Sequence, residues 1–206
     1  MNRIAALDAG TYYHHRTLYE DRYRTAFDEI IYAPRLDEAD LSALDVLIVS
    51  CRTDPAVLVP QRRTIADFLA AGGTVVAMGS TGPHQWLPGV VWHDTETNFW
   101  WWKEGGSLGL AIAAPDHPLF RAISLDDATW HYHGYFEPPA GAVPLISAEG
   151  RGPILYEDRV TTAGAMIVTS LDPMYHHGSH FMPATTRFLD GFLPFLRTYE
   201  GRTRRA

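Results

Sequence analysis

Two groups of histidines carry the clearest chemistry in this sequence. The first lies in Thr129–Phe136, a segment whose alternation of apolar and polar residues predicts a β-strand. Its members, His131 and His133, are two residues apart, so both side chains are expected on one face of that strand. Such a pair could bind a metal ion or activate a water molecule directly.

The second group follows the last apolar run before the C-terminal segment. It combines a carboxylate with three imidazoles, in the order Asp172, His176, His177 and His180. Imidazole nitrogens suit zinc, and a catalytic zinc site uses three protein ligands and a water molecule. All five histidines of the two groups are therefore candidate zinc ligands. The candidate catalytic residues are His131, His133, Asp172 and His176. Histidines that only form hydrogen bonds are the ordinary alternative, because the sequence has no HExxH or other strong metal motif.

The stretch from Leu44 to Gly82 indicates the scaffold that would position these groups. Two short β-branched runs, Val46–Ser50 and Thr74–Met78, are typical of buried parallel strands. Apolar residues at helical intervals separate them, and Gly72-Gly73 marks the end of the predicted helix. Strand, helix and strand form a right-handed βαβ unit, and small molecules bind such sheets at the carboxyl ends of the strands.

Polar residues at those carboxyl ends are the candidate ligand-binding residues. An opening strand at Arg3–Leu7 leads into Asp8, and a helix to about Phe27, a strand at Glu29–Tyr32 and a short helix over Leu36–Leu44 are expected to follow it. A closing helix is expected over Met182–Leu196, with its last turn ended or kinked by Pro194. The run Val46–Ser50 leads into Cys51 and Arg52, and a lone cysteine in that position is predicted to be a small buried side chain. The full candidate set is Asp8, Tyr13, Arg16, Arg52, Ser80, Trp100 and Trp102.

An aromatic-rich insert occupies about residues 83–109. Its centre is the run from Asn98 to Lys103, which contains one phenylalanine and three consecutive tryptophans. So many aromatic rings argue against disorder, and long loops of this kind are usually functional. The run is predicted to be ordered and to form either one wall of the strand-end cleft or a subunit contact beside it. Its rings would either stack on a sugar or contact a second subunit.

Composition limits the remaining choices. The chain has 206 residues and 46% hydrophobic content, which predicts one α/β domain over residues 1–206. A net charge of -7 argues against a general affinity for nucleic acid or an anionic membrane, and the basic run 202–205 is expected to be solvated. One cysteine, and no apolar run long enough for a signal peptide or a membrane span, indicate a cytoplasmic protein.

The order of these pieces resembles the class I glutamine amidotransferase-like superfamily and, within it, the ThuA-like proteins of trehalose utilisation. The resemblance is carried by Asp8-Ala9-Gly10 after the opening strand, by Asp45–Ser50, by Phe68–Gly79 and by the late run into Leu171–Gly178. It implies a three-layer α/β/α sandwich, flavodoxin-like, with a mostly parallel sheet.

The catalytic residues of true amidotransferases are missing from this pattern. The family has a nucleophilic cysteine in a sharp turn after a strand, and this sequence has Gly79 there, with Ser80 beside it. The family's His-x-Glu pair follows the late strand, where this sequence has Asp172-Pro173. Because a thiolate nucleophile needs a base to activate it, glutamine hydrolysis is not expected.

Several functions therefore stay open. The first is a ThuA-like protein that binds or modifies a carbohydrate-type small molecule at the strand ends, and the sequence does not decide whether it is an enzyme. The alternatives are a non-catalytic binding or oligomer-assembly module and a His-dependent, metal-binding hydrolase. The expected partners are a small molecule, with a sugar as first choice, and a second copy of the chain. No cofactor is required, and zinc is the metal that the histidines would suit.

Overall fold

A mixed eight-stranded sheet forms the centre of the structure, a computed structural model that describes residues 1–97, 99–103, 105–179 and 182–201. Within these residues the strands are β1 (Ile4–Asp8), β2 (Glu29–Tyr32), β3 (Val46–Val49), β4 (Thr74–Met78), β5 (Trp92–Asp94), β6 (Leu110–Ile112), β7 (Gly134–Phe136), β8 (Val143–Ala148), β9 (Gly152–Asp158) and β10 (Ala165–Thr169). The α-helices are α1 (Tyr12–Tyr19), α2 (Asp21–Arg24), α3 (Pro55–Ala70), α4 (Pro173–Ser179) and α5 (Pro183–Thr198).

The strand order is β2-β1-β3-β4-β10-β9-β8-β6. The four pairings from β2 to β10 are parallel, and the three from β10 to β6 are antiparallel. The α/β class is therefore as predicted. The sheet is less parallel than expected, because one side of it, from β10 to β6, is antiparallel. The connections at residues 149–151 and 159–164 explain the change of direction, because a parallel crossover needs roughly a dozen residues or more.

Helices cover both faces of the sheet, as the alternation along β1 shows. Ile4 and Ala6 belong to the core that contains residues of α1 and α5, such as Leu18 and Phe188. The intervening strand residues belong to a second core on the opposite face, which contains Leu58 and Ile65 of α3. No helix within the described ranges is long and apolar enough to cross a bilayer.

The strand predicted over Thr129–Phe136 is mostly wrong. Only its last residues form a strand, β7, which pairs with β5 in a separate two-stranded antiparallel sheet. His131 and His133 therefore lie in irregular chain before the strand. The polar side chains of this segment contact Asp172, and its backbone forms no ladder there.

Three helical predictions also need correction. The helix expected to reach Phe27 is divided at Glu20 into α1 and α2. A short helix expected over Leu36–Leu44 is replaced by 3-10 turns. The closing helix was expected to end or kink at Pro194, but α5 continues to Thr198. Its apolar side is buried around this position, which offsets the hydrogen bond that proline removes.

Candidate functional site

A cleft of about 550 Å³ lies beyond the carboxyl ends of β3 and β10, where the sequence places a site. One wall is the aromatic run Phe99–Trp102, and the floor comes from Arg52 after β3 and from Tyr175 and His176 of α4. Residues 129–131 and Met182 complete the lining. Phe99–Trp102 line the cleft, in agreement with the first of the two predicted positions of the aromatic run, and Lys103 is not part of the lining. Asn98 lies outside the described residues.

Asp172 is fully buried beneath the cleft, where it contacts the lining residues Arg52, Trp130 and His176. Its Oδ2 accepts hydrogen bonds from Arg52 Nε at 3.0 Å and from His133 Nε2 at 3.1 Å. Its Oδ1 accepts from Trp130 Nε1 at 3.2 Å and lies 3.2 Å from His176 Nε2. Both carboxylate oxygens therefore have donors from several separate parts of the chain.

These donors keep the carboxyl group ionised. Burial alone would raise the pKa of Asp172, but the hydrogen bonds from His133 and His176 outweigh burial and hold the pKa well below its usual range. Arg52 Nη2 lies 2.9 Å from Oδ2, so the guanidinium and the carboxylate form a neutral pair at the floor of the cleft.

Arg52 has a strained backbone. Among the described residues it is the one non-glycine residue with φ in the left-handed region, at 62°. Its guanidinium packs over the Tyr175 ring at 3.7 Å while it holds Asp172, and these two contacts fix the side chain. Strain of this kind costs of order 1–3 kcal/mol and is concentrated at functional sites, which supports a role for this corner of the fold.

His131 and His176 face each other across the floor, with their Nε2 atoms 3.1 Å apart. Burial lowers the pKa of His131 to about 4, so this imidazole is neutral at neutral pH. Its Nδ1 is buried and has no hydrogen-bond partner among the described residues. A buried polar atom in that state costs about 1–3 kcal/mol, so the cluster is not optimised for stability alone.

The aromatic wall consists of turns, so the alternation that an extended chain would give its rings does not apply. Phe99 packs against His131, with ring centroids 4.7 Å apart. Trp100 and Trp102 lie 6.3 Å apart and are 61% and 58% exposed, and Lys103 Nζ sits 4.0 Å from the Trp100 ring. Trp101 is the more buried of the three tryptophans. The wall therefore presents open aromatic surface beside a hydrogen-bonding floor.

Comparisons with known proteins give structural matches alone. No protein-family profile and no curated protein matches the sequence. A GMP synthase component from Thermoplasma acidophilum superposes with a TM-score of 0.58 at 13% identity, over 96% of each chain. A glutamine amidotransferase from Thermotoga maritima gives 0.57 at 10% identity, over 96% of this chain and 84% of that one. A ThuA-like protein from Bacteroides uniformis gives 0.53 at 12% identity, over 92% and 89%.

The chain has the class I glutamine amidotransferase-like, ThuA-like fold. At these identities the likeness establishes the fold, and the residues decide what the site can do. The resemblance found in the sequence implies a nucleophile turn after β4, where this chain has Gly79 with φ of 66°. A Cβ atom at that position would lie 2.8 Å from Cys51 Cβ and 2.9 Å from Asp172 Cβ, so a cysteine side chain does not fit.

Cys51 does not replace the missing nucleophile. The thiol is buried, and its sulfur accepts a hydrogen bond from the Tyr175 backbone N–H at 3.1 Å. Burial, followed by the charge of Asp172, raises the pKa of the Cys51 thiol, so it stays protonated at neutral pH. The prediction of a small buried side chain is confirmed.

Four of the candidate ligand-binding residues lie outside the cleft. Asp8 accepts hydrogen bonds from the Gly10 backbone N–H at 2.8 Å and from Tyr19 Oη at 3.1 Å. Arg16 pairs with Glu20 at 3.3 Å along α1. The other two are Tyr13, whose ring packs on Tyr175 behind the lining, and Ser80, exposed in the turn after β4. Their roles as ligand contacts stay predictions.

Three of the five candidate zinc ligands converge, namely His131, His133 and His176. His177 faces α5 instead, where its Nδ1 lies 2.8 Å from Thr186 Oγ1. His180 lies outside the described residues. The convergence is the one that the sequence predicts, although it is achieved without the strand that was expected to align the first pair.

Two floor residues were missed from the sequence, Trp130 and Tyr175. On the predicted strand, Trp130 would point away from His131, but the irregular backbone brings both side chains to the cleft. Tyr175 lies within the segment Leu171–Gly178 that carries the resemblance, next to His176, and its only signal is that position.

Proposed function

We propose that this chain binds or modifies a carbohydrate-type small molecule in the strand-end cleft of a three-layer, flavodoxin-like sandwich, without glutaminase activity. One observation carries the proposal: an open tryptophan wall faces a neutral, hydrogen-bonding floor across about 550 Å³. That volume lies within the range of about 300–1,000 Å³ for small-molecule sites, which combine apolar walls with a few oriented polar groups.

The wall and the floor match the two kinds of surface that a sugar presents. The exposed faces of Trp100 and Trp102 offer flat apolar surface for the C–H face of a pyranose ring. Arg52 and His176 at the floor offer groups that can hydrogen-bond hydroxyls. Two exposed tryptophan rings side by side at a cleft are typical of a binding site.

Charge favours an uncharged ligand over a phosphorylated one. The guanidinium of Arg52 is already paired with Asp172, so it adds little net positive charge to the floor. The chain as a whole carries a net charge of -7. A phosphate would need a cation without a carboxylate partner, and Arg52, the one arginine or lysine among the described lining residues, is paired with Asp172.

Absence of glutaminase activity is proposed from the same geometry. The nucleophile position is Gly79, its Cβ space is filled by Cys51 and Asp172, and the cysteine that is present is buried and protonated. Thiol chemistry needs an exposed thiolate with a base beside it. We expect no ammonia release from glutamine and no labelling of Cys51 by glutamine analogues that alkylate thiols. Stoichiometric labelling would contradict this part of the proposal.

Titration with neutral mono- and disaccharides, followed by tryptophan fluorescence and calorimetry, tests the binding. We expect saturable binding of at least one sugar by the parent, and a loss of at least about tenfold, or about 1.4 kcal/mol, when Trp100 and Trp102 are both replaced by alanine. Tyr32→Ala is the matched control, because it removes an exposed aromatic ring that lies outside the cleft. Failure of every sugar to bind the parent, or equal binding by the double variant, would contradict the proposal.

The exposed rings also favour a second candidate, a subunit contact. Phe99, Trp100 and Trp102 are all more than half exposed, which is an uncommon arrangement for a surface that meets only water. Sedimentation of the parent and of the Trp100→Ala, Trp102→Ala double variant separates the two candidates. A dimer that dissociates in the double variant, with no sugar bound by either protein, would favour the assembly module.

A further inference from the structure

We infer that His131, His176 and Asp172 form a binding site for one divalent transition-metal ion, with zinc as the best match. The ligand atoms are the Nε2 atoms of the two histidines and Oδ1 of the aspartate. Two of their separations are 3.1 Å, between the nitrogens, and 3.2 Å, from His176 Nε2 to Oδ1. All three candidate ligand atoms lie within 4.8 Å of one another.

These separations suit a tetrahedral ion. Zinc binds histidine nitrogen at about 2.0–2.1 Å and carboxylate oxygen at about 2.0–2.2 Å, which places neighbouring tetrahedral ligands about 3.3–3.5 Å apart. The two measured edges are within a few tenths of an ångström of that distance.

The facing imidazoles have a spacing that suits a shared ion. Two Nε2 atoms 3.1 Å apart can share one proton in a single N–H···N hydrogen bond. A metal ion placed between them accepts both lone pairs at once.

The surroundings of Asp172 orient one oxygen toward the ion. Arg52 and His133 hold Oδ2, and Trp130 Nε1 donates a hydrogen bond to Oδ1. Carboxylate ligands in metal sites are held in this way by a second layer of hydrogen bonds. His133 is therefore a positioning residue, because it reaches the proposed ion only through Asp172.

The ligand set also selects among metals. Two imidazoles and one carboxylate suit zinc and its neighbours in the first transition row, whereas magnesium and calcium require mainly oxygen ligands. His131 and His176 both line the cleft, so the remaining coordination position opens into it. A water molecule or a ligand hydroxyl would occupy that position. The hydroxyl role rests on the proposed function, but metal binding does not.

The test uses untagged, full-length protein that has been treated with a chelator and dialysed, with Zn²⁺ or Co²⁺ alone as the probe. We expect one equivalent of metal by elemental analysis, and cobalt absorption of the intensity typical of tetrahedral coordination. His131→Gln and His176→Gln should each weaken binding by at least about 100-fold, and His133→Gln by about 10–100-fold, as expected for a residue of the second layer. His84→Gln is the matched control, because it removes an exposed histidine far from the cleft lining.

Circular dichroism and thermal melting of the metal-free variants show whether each is folded. A measurement on the parent avoids mutation altogether, since zinc should shift the imidazole ¹⁵N resonances of His131 and His176 and leave those of His84 unchanged. No uptake of metal by the parent, or uptake that the His131 and His176 variants retain, would overturn the inference. Sugar titrations of the chelator-treated protein keep the two proposals separate, because sugar binding without metal leaves the proposed function standing.

Discussion

Two buried carboxylates in this protein have nearly the same partners and different surroundings. Asp172 is held by an arginine, histidines and an indole N–H at the carboxyl ends of the parallel strands. Glu157, on β9, is held by Arg159 at 2.8 and 3.0 Å, by Tyr199 Oη at 2.6 Å and by His117 at 3.4 Å. Each cluster borders a cavity, of about 550 and 650 Å³ respectively.

Neither burial nor cavity volume therefore distinguishes a functional site from a cluster that only stabilises the fold. Every buried polar side-chain atom described in the Glu157 cluster has a partner, and its members join β9 to the end of α5. At Asp172 two imidazoles face each other, and His131 Nδ1 has no partner among the described residues. An unpartnered buried imidazole nitrogen beside an aromatic wall is the feature on which we base the proposal that the cleft is the functional site.

Removal of the Asp172 carboxylate should have the largest effect on stability. Asp172→Ala leaves Arg52, whose side chain is only 30% exposed, without its partner. Breaking a buried pair in this way typically costs about 3–5 kcal/mol. Glu157→Gln is the comparison, with an expected cost of about 1–3 kcal/mol, because Arg159 is 39% exposed and water can solvate it. Denaturant unfolding measures both, and an equal or reversed order would remove the distinction between the clusters.

Acid should act on the Glu157 cluster in a defined range. Burial raises the pKa of Glu157, but the hydrogen bonds from His117, Arg159 and Tyr199 outweigh it and lower the pKa to about 2 from 4.5. Because the folded pKa lies below the unfolded one, this stabilisation is present above about pH 4.5 and is lost as pH falls toward 2. Ionised Glu157 contributes up to about 3 kcal/mol to the free energy of unfolding in this way.

The measurement is the difference in free energy of unfolding between the parent and Glu157→Gln, followed from pH 7 to pH 3. The difference should be constant near neutral pH and shrink below about 4.5. A difference that does not change with pH would show that Glu157 contributes through shape and packing, with no contribution from its charge.

Gly79→Cys should destabilise the protein without creating a glutaminase. The new Cβ would clash with Cys51 and Asp172, and φ at this residue is 66°. We expect a cost of about 2–4 kcal/mol from overpacking and the left-handed backbone together. Gly150→Ala is the control, since it has positive φ with open space around the Cβ position. A variant as stable as the parent, or one that hydrolyses glutamine, would show that the cleft floor adjusts more easily than its contacts indicate.

The smallest effect on stability is expected at the aromatic wall. Trp100→Ala and Trp102→Ala remove rings that are already more than half exposed, so each should change the free energy of unfolding by no more than about 0.5 kcal/mol. Trp101→Ala should cost more, because its ring is less exposed. Thermal melting of the three variants tests this order. A large loss of stability at Trp100 or Trp102 would mean that the wall serves packing more than binding.

The elements that the sequence predicts best are those with a strong local signal. The bounds of β2 and β4 are as expected, and β3 ends one residue earlier, because their β-branched runs admit no other structure. The position of the site follows from the same runs, since the carboxyl ends of parallel strands share one edge of the sheet. The histidine convergence followed from this placement.

The rest depends on contacts that no local pattern reveals. The antiparallel pairings of β9 with β8 and with β10 are set by two short connections. The alternation of apolar and polar residues does not by itself report the direction of a strand. Trp130 reaches the floor because residues before β7 leave the strand conformation, which depends on Asp172, distant in sequence. The clash at Gly79 becomes visible only when β3, β4 and β10 are brought side by side.

The two outermost strands of the sheet limit how copies of this protein can meet. β2 contains four residues and β6 three, so each edge exposes only a few unpaired backbone groups. Short edge strands are a common defence against strand-to-strand aggregation. Any self-association through a sheet edge would thus gain few hydrogen bonds, and a stable dimer would have to use side-chain surface instead.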